Sequence, residues 1–226
     1  MMDWPKVAVL LITYKRTALA ARTIQGVMNH LVYPHEKLHW HIADDGSKEG
    51  HLTALKVLID PYPLTITNVN RRGVGASMNA GAIECLKRAD YILWLEDDWE
   101  LTRTFDLRPC VELLSVYNHI GMVRLGYISP GIVGTLVGGC GHLWWQLEKG
   151  PQYTFTGHAA LRHRRFIEAY GPYREDLAPG DTELHMCGTY NGKPGPSVVY
   201  PAYVGEFGPF GHIGGESLKD VRPNTP

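Results

Sequence analysis

Tyr-Ile-Leu-Trp-Leu-Glu-Asp-Asp-Trp, residues 91–99, joins five residues of buried-strand composition to three consecutive carboxylates. A strand of this kind ends where solvent or ligand begins. Three acidic side chains at adjacent positions repel one another and cost free energy to desolvate, so a strand that delivers them to a sheet edge calls for a compensating cation. Alternate strand residues point the same way, so Glu96 and Asp98 should share a face while Asp97 points elsewhere. Two readings follow: a solvated acidic turn behind a core strand, or a carboxylate-x-carboxylate clamp for a hard ion such as Mg2+ or Mn2+.

Upstream of this stretch, strands and helices alternate. Lys6 to Thr13 is a continuous apolar run of the kind found in a strand buried on both faces. Thr17 to Leu31 carries Ala20, Ile24, Val27, Met28 and Leu31 at helical spacing, with Pro34 just beyond to prevent continuation. Leu38 to Ala43 is a second strand, closed by Asp44-Asp45-Gly46-Ser47. A helix from about His51 to Ile59 leads through Pro61 and Pro63 to a third strand, Leu64 to Val69. Arg71-Arg72-Gly73-Val74-Gly75 then opens a helix to Arg88. This order predicts right-handed crossovers and a mostly parallel sheet with its ligands beyond the carboxyl ends of the strands. Thr13 to Arg16, Asp44-Asp45 and Glu96 to Asp98 are thereby gathered on one rim.

Composition sets the outer bounds. The 226 residues are 44% hydrophobic and 20% charged, which suits one large domain with a full core. Lys plus Arg number 22 against 23 acidic residues, and the net charge of -1 supplies no global attraction to nucleic acid or anionic membrane. Cys85, Cys110, Cys140 and Cys187 form no Cys-x-x-Cys pair and follow no secretory signal, which predicts reduced thiols in a cytoplasmic protein. No apolar run is long enough to span a bilayer: Val7 to Ile12 is short, and Gly131 to Trp145 is broken by glycines.

The rim residues make joint chemical sense with a sugar nucleotide. Asp44 and Asp45 can accept hydrogen bonds from a base or ribose, or simply form a turn, for which Asp, Gly and Ser are all favoured. Glu96 and Asp98 can hold a metal on the diphosphate. Arg72 and Gly73 stand at a helix entrance that can face phosphate, although no complete Gly-x-Gly-x-x-Gly or Walker pattern is present.

These stretches resemble the glycosyltransferases of the GT-A fold, family 2. The matching pieces are Val-Leu-Leu-Ile-Thr-Tyr-Lys-Arg at 9–16, Ile-Ala-Asp-Asp-Gly-Ser at 42–47, Asn-Arg-Arg-Gly-Val-Gly-Ala-Ser-Met-Asn-Ala-Gly at 70–81 and Leu-Glu-Asp-Asp at 95–98. The resemblance implies a three-layer α/β/α sandwich and a nucleotide-diphospho-sugar donor, with a UDP-sugar favoured. Thr13, Tyr14 and Arg16 would lie near the nucleotide, with Asp44 or Asp45 at the base or ribose. Arg72, Gly73, Asn79, Glu96, Asp97 and Gly157 complete the donor side. Asp98 is the metal ligand most firmly implied, and Glu96 replaces the more usual Asp at the first motif position. Residues 1–105 would bind the donor and 106–226 would carry the acceptor side.

The second half holds a helix near Pro109 to Tyr117, a strand near Met122 to Ile128, and the glycine-interrupted segment to Trp145. Thr156 to Leu161 resembles the family's small-residue approach to the donor sugar. The basic run Arg162-His163-Arg164-Arg165 reads as a solvated helix face. Asp181, in Gly180-Asp181-Thr182-Glu183, resembles the family's catalytic carboxylate, with Glu183 as the fallback; Asp also suits a helix cap. A carboxylate is what the chemistry needs, because the acceptor hydroxyl loses its proton as it attacks an anomeric carbon. His212, between glycines, resembles the family's late metal-binding histidine, ahead of His158 and His142, and imidazole with carboxylate suits Mn2+.

The expected function is metal-dependent transfer of a sugar to a hydroxyl acceptor, a glycan or a lipid, with inversion. Alternatives from other classes are a nucleotidyltransferase using the same carboxylates and a sugar-nucleotide-binding protein without turnover. Six Trp together with Arg162, Arg164 and Arg165 also resemble phage enzymes that glucosylate hydroxymethylated DNA bases.

Overall fold

All seven residues of the first strand, β1 (Val7–Thr13), are buried. In the computed structural model, which describes residues 3–129, 131–150, 154–205 and 207–215, β1 leads to α1 (Thr17–His30), the two-residue β2 (Leu31–Val32), β3 (Leu38–Asp44), α2 (Glu49–Ile59), β4 (Leu64–Asn68), α3 (Val74–Leu86) and β5 (Tyr91–Glu96). The short β6 (Trp99–Leu101) and β7 (Phe105–Asp106) follow, then α4 (Arg108–Val116), β8 (Ile120–Arg124), β9 (Gly134–Gly139) and β10 (His142–Leu147). The chain continues with β11 (Ala160–His163), α5 (Arg164–Tyr170), α6 (Pro179–Gly192), β12 (Ser197–Pro201) and β13 (Phe210–His212).

Nine of these strands form one sheet in the order β4-β3-β1-β5-β11-β8-β12-β10-β9. The first four are mutually parallel, as the alternation of strands and helices predicts. β12 is parallel to β8, whereas β11 and β10 run antiparallel to both of their neighbours. The chain winds outward from β1 to β3 and β4, then returns to the other side of β1 with β5. The order therefore reverses between β1 and β5, and a crevice opens there at the strands' carboxyl ends.

Successive residues of β1 serve opposite layers. Val7, Val9 and Leu11 pack with α1, α2 and α4 through Ile24, Leu55 and Leu114. Ala8, Leu10 and Ile12 pack with α3, α5 and α6 through Ala82, Phe166 and Tyr190. The result is a three-layer α/β/α sandwich. Among the described residues no helix is long and apolar enough to cross a membrane, and no disulfide joins the cysteines.

The second half departs from expectation in two places. Residues 131–145 contain a β-hairpin, β9–β10, whose two turn residues Cys140 (φ 49°) and Gly141 (φ 74°) both take left-handed backbone. That geometry belongs to a primed turn, usually announced by Asn-Gly rather than Cys-Gly. The run 162–165 is not a solvated face. Arg162 is buried on β11, Arg164 donates to Asp90 Oδ1 at 2.6 Å and to the Leu86 carbonyl at 2.5 Å, and Arg165 ties down the carbonyls of Leu114, Tyr117 and Ile120.

Two glycines in helices separate a packing requirement from a mere tolerance. A Cβ on Gly75 in α3 would stand 2.1 Å from the Arg174 carbonyl oxygen, whereas one on Gly50 in α2 would meet nothing within 4 Å. Gly75→Ala must displace the 173–175 backbone and should destabilise by about 1–3 kcal/mol. Gly50→Ala should instead stabilise by up to about 1 kcal/mol through helix propensity. Urea unfolding of both variants checks the pair; equal effects would contradict the packing described here.

Candidate active site

The three carboxylates at the tip of β5 are treated in three different ways. Asp97, 1% exposed, is fastened to the β1–α1 loop: its Oδ2 accepts from Thr13 Oγ1 at 2.8 Å and from the Tyr14 N–H at 3.2 Å. Its Oδ1 pairs with Arg16 Nη2, and the Thr23 hydroxyl donates to its carbonyl. Asp97 thus anchors the β1–α1 loop while standing in the wall of the cleft beside it. Arg16 also reaches Asp98 Oδ2 through Nη1 at 2.7 Å. Burial opposes the guanidinium's charge, but Asp97 and Asp98 outweigh it and raise its pKa. The compensating cation that the acidic triplet demands is therefore, in part, supplied by the chain itself.

Beside this anchor an open cleft of about 610 Å³ is walled by Thr13, Tyr14, Arg16, Asp45, Ser77 and Glu96, among others. Asp45 is held there by the Gly73 N–H, which donates to its Oδ1 at 2.8 Å. Gly73 takes φ 98°, a conformation open to glycine at little cost, so its contribution is to orient Asp45. Asp44 turns the other way. It is wholly buried and accepts from the Gly46 and Ser47 N–H groups and from Asn68 Nδ2, which is the turn role rather than the nucleotide role.

Two further donor candidates also serve the fold. Arg72 is exposed and paired with Glu175. Asn79 exchanges hydrogen bonds with the backbone of Tyr173 (2.8 and 2.9 Å) and donates to Glu175 at 3.0 Å. Neither lines the cleft.

A second cavity, of about 750 Å³, adjoins the first and shares Glu96, Val74 and Pro179 with it. Its far side carries Glu183, whose Oε1 accepts from the Gly157 N–H at 2.7 Å. A Cβ on Gly157 would lie 2.4 Å from Glu96 Oε1 and 3.8 Å from Glu183 Oε1, so glycine there lets the backbone pass between the two carboxyl groups. Burial first, then Asp98, Glu183 and Asp97, push the Glu96 pKa up to about 8, while Arg16 pulls the other way. Asp181 is exposed in the first turn of α6 and outside both cavity walls; Ala178, not Asp181, is the capping residue.

Aromatic side chains that the sequence reading did not single out complete this second cavity. Trp99 and Tyr127 flank the His158 ring at centroid distances of 4.4 and 4.6 Å. Arginine only donates, so His158 Nδ1 accepts from Arg124 Nη2 (3.0 Å) and the neutral ring carries its proton on Nε2. Burial first, and then Arg124 and His212, hold the pKa of His158 far below the usual range. By the same rule the Tyr173 oxygen accepts from buried Arg162, leaving its O–H to donate.

Asp98 stands at the outer end of the triplet. β13 pairs with β6 so that His212 lies opposite Trp99, and His212 Nε2 comes within 3.4 Å of Asp98 Oδ2. Gly214 passes so close that a Cβ would sit 2.6 Å from the same oxygen. Asp98 Oδ1 is buried without a hydrogen-bond partner among the described residues. Among the described residues no three His, Cys, Asp or Glu converge to hold a metal, so Asp98 and His212 form a two-ligand set that a bound ligand would have to complete. Glu96 lines both cavities, and Asp98 and then Glu183 are the carboxylates that act on it most strongly. His142 lies on β10 against Tyr203, and Glu216 and Ser217, beyond His212, lie outside the described residues.

Comparison with known proteins fits this arrangement. Among curated proteins none matches. A solved mannosyltransferase from Pyrobaculum calidifontis, in complex with GDP-Man and Mn2+, superposes with a TM-score of 0.63 at 16% identity over 88% of this chain and 55% of its own. TarS 1–349 of S. aureus with UDP gives 0.64 at 13% identity over 86% and 60%. GalNAc-T7 with UDP, GalNAc and Mn2+ gives 0.64 at 15% over 95% and 45%. The chain thus spans between 45% and 60% of these relatives' lengths, and at such identities the likeness shows the GT-A fold alone. The family model described as Glycosyl transferase family 2 matches residues 8–171, and the chain belongs to that family.

Proposed function

We propose that this chain transfers a sugar from a nucleotide-diphospho-sugar to a hydroxyl acceptor, the donor lying in the first cleft and the acceptor in the second. The observation that carries the reading is the junction of the two cavities at Glu96, with Asp45 and Tyr14 on one side and Glu183 on the other. A donor seated with its base near Asp45 and Tyr14 would direct its sugar past Glu96 toward Glu183. A UDP-sugar remains the favoured donor; the solved relatives were crystallised with UDP in two cases and GDP-mannose in another.

Glu183, rather than Asp181, is the base. Its carboxylate accepts the Gly157 N–H with one oxygen, which fixes its orientation and leaves the other for an acceptor proton. The Tyr173 O–H is a hydrogen-bond donor for the acceptor's other hydroxyls. One base across the junction from the donor suits a single in-line displacement with inversion.

Asp98 and His212 would hold the divalent cation, Mn2+ or Mg2+, because Asp98 Oδ2 lies 3.4 Å from His212 Nε2 and Oδ1 of the same carboxylate is buried without a hydrogen-bond partner among the described residues. A cation there supplies positive charge to the departing diphosphate. The donor's own phosphates would complete its ligand set. A nucleic-acid acceptor loses its main support, since Arg162, Arg164 and Arg165 are committed to the fold.

Three outcomes test the assignment. Glu183→Gln should lower sugar transfer, or donor hydrolysis where no acceptor is present, by roughly 10²–10⁴-fold with unchanged donor affinity. Asp181→Asn should stay within about threefold of wild type; the reverse pattern would return the base to Asp181. In metal-free protein the raised folded pKa of Glu96 makes its stabilisation complete below pH about 4.5 and lost as pH rises through about 8. Glu96→Gln should consequently gain melting temperature over wild type as pH is raised from 5 to about 8, and a constant gap between the two would refute the burial of an acidic proton there.

A further inference from the structure

We propose that Arg16 is a resident counter-cation that competes with the metal for Asp98, so that metal binds tightly only together with a nucleoside diphosphate. The inference rests on Asp98 and His212 being the metal ligands of the proposed function.

The backbone gives Arg16 little choice of position. Lys15 is held in left-handed backbone at φ 63°, with its N–H on Ser47 Oγ at 2.7 Å. Arg16 then donates its own N–H to the Tyr14 carbonyl and enters α1 as its capping residue. Its side chain is launched toward the tip of β5, where Nη2 pairs with Asp97 and Nη1 with Asp98 Oδ2. Removing Arg16 would leave the buried Asp97 carboxylate without a counterion, so the pairing is held from the carboxylate side.

The oxygen that Arg16 occupies is the one facing the other metal ligand. Asp98 Oδ2 is 2.7 Å from Arg16 Nη1 and 3.4 Å from His212 Nε2. A divalent ion bound through this oxygen must take it from the guanidinium, and one bound through Oδ1 must share a single carboxylate with the guanidinium. Either requirement weakens metal binding to the nucleotide-free protein. A diphosphate removes the conflict, because its negative charge offsets both cations and its oxygens offer the guanidinium a bidentate partner. Asp97 stays attached to the other guanidinium nitrogen, so only one of the two ion pairs has to open. Linkage then makes the effect reciprocal: the ion raises nucleotide affinity by the factor by which nucleotide raises ion affinity.

Mn2+ titration of the full chain, followed by the paramagnetic resonance of free Mn2+, reads this directly without turnover. It is run with no nucleotide, with UDP and with GDP, on wild type, Arg16→Gln and the double variant Arg16→Gln/Asp97→Asn. The double variant replaces the buried ion pair by neutral groups of similar shape and leaves the local net charge at its wild-type value, so a gain in it reports release of the Asp98 oxygen rather than bulk electrostatics. Wild type should bind Mn2+ at least about tenfold more tightly with UDP or GDP than alone, while both variants bind it at least about tenfold more tightly than wild type without nucleotide and respond less to nucleotide. Variants that bind nucleotide-free Mn2+ no more tightly than wild type, while wild type binds it with nucleotide, would overturn the role of Arg16 and leave the metal site standing. No Mn2+ binding by wild type under any condition would overturn the metal site and this inference together.

Discussion

Three carboxylates at the end of a buried strand must each be neutralised, paired or exposed, and the rim of this molecule is built from how that is done. Asp97 is paired and hydrogen-bonded, and in being so it pins Thr13, Tyr14 and Arg16 to the tip of β5. Asp98 keeps one oxygen open, and its carbonyl accepts the Ile213 N–H at 2.8 Å, which brings the late strand β13 over the site. Glu96 holds its proton to about pH 8 and stands where the two cavities meet. Without the anchor at Asp97 the β1–α1 loop would lose its ties from Thr13 and Tyr14 to the tip of β5, and one wall of the first cleft would be loosened.

The parallel half of the fold was legible because each of its strands is an apolar run ended by a polar turn, and each helix carries an apolar stripe. The antiparallel half was less so. The β9–β10 hairpin turns on Cys140-Gly141, and its outward residues Leu143 and Trp145 are exposed, so neither turn chemistry nor alternation announced it. Of the site candidates, Asp45 lines the first cleft, Gly157 and His212 line the second, and Asp98 stands beside His212. Asp44 differs from Asp45 only by the face of the strand end from which it projects, and Arg72 and Asn79 were drawn off by the 173–175 segment, a partner distant in sequence. Asp181 and Glu183 lie about 200° apart around the helix at ~100° per residue, so which of them faces the cavity depended on the docking of α6, which no local pattern fixes. The buried arginines follow the same logic: Arg162 lies against the Trp94 ring, 3.9 Å from its centroid, a contact visible only once β11 is beside β5.

The two cavities differ in their electrostatics. The first carries Arg16 together with Asp45 and Asp97, while the described wall of the second has neither Lys nor Arg; Arg124 and Arg162 stand behind it and present their charge through His158 and Tyr173. The first cleft offers a phosphate the Arg16 guanidinium, whereas the described wall of the second sets Glu183 against it with no Lys or Arg. That division matches a charged donor on one side and a hydroxyl acceptor on the other.

Phosphorus NMR of the products formed from UDP- and GDP-sugars in the presence of Mn2+ tests this account most directly. Cleavage at the anomeric carbon predicts nucleoside diphosphate as the phosphorus-containing product, with the sugar released free or joined to an acceptor. Nucleoside monophosphate with sugar 1-phosphate, the products of cleavage between the two phosphorus atoms, would place the reaction at phosphorus and contradict it.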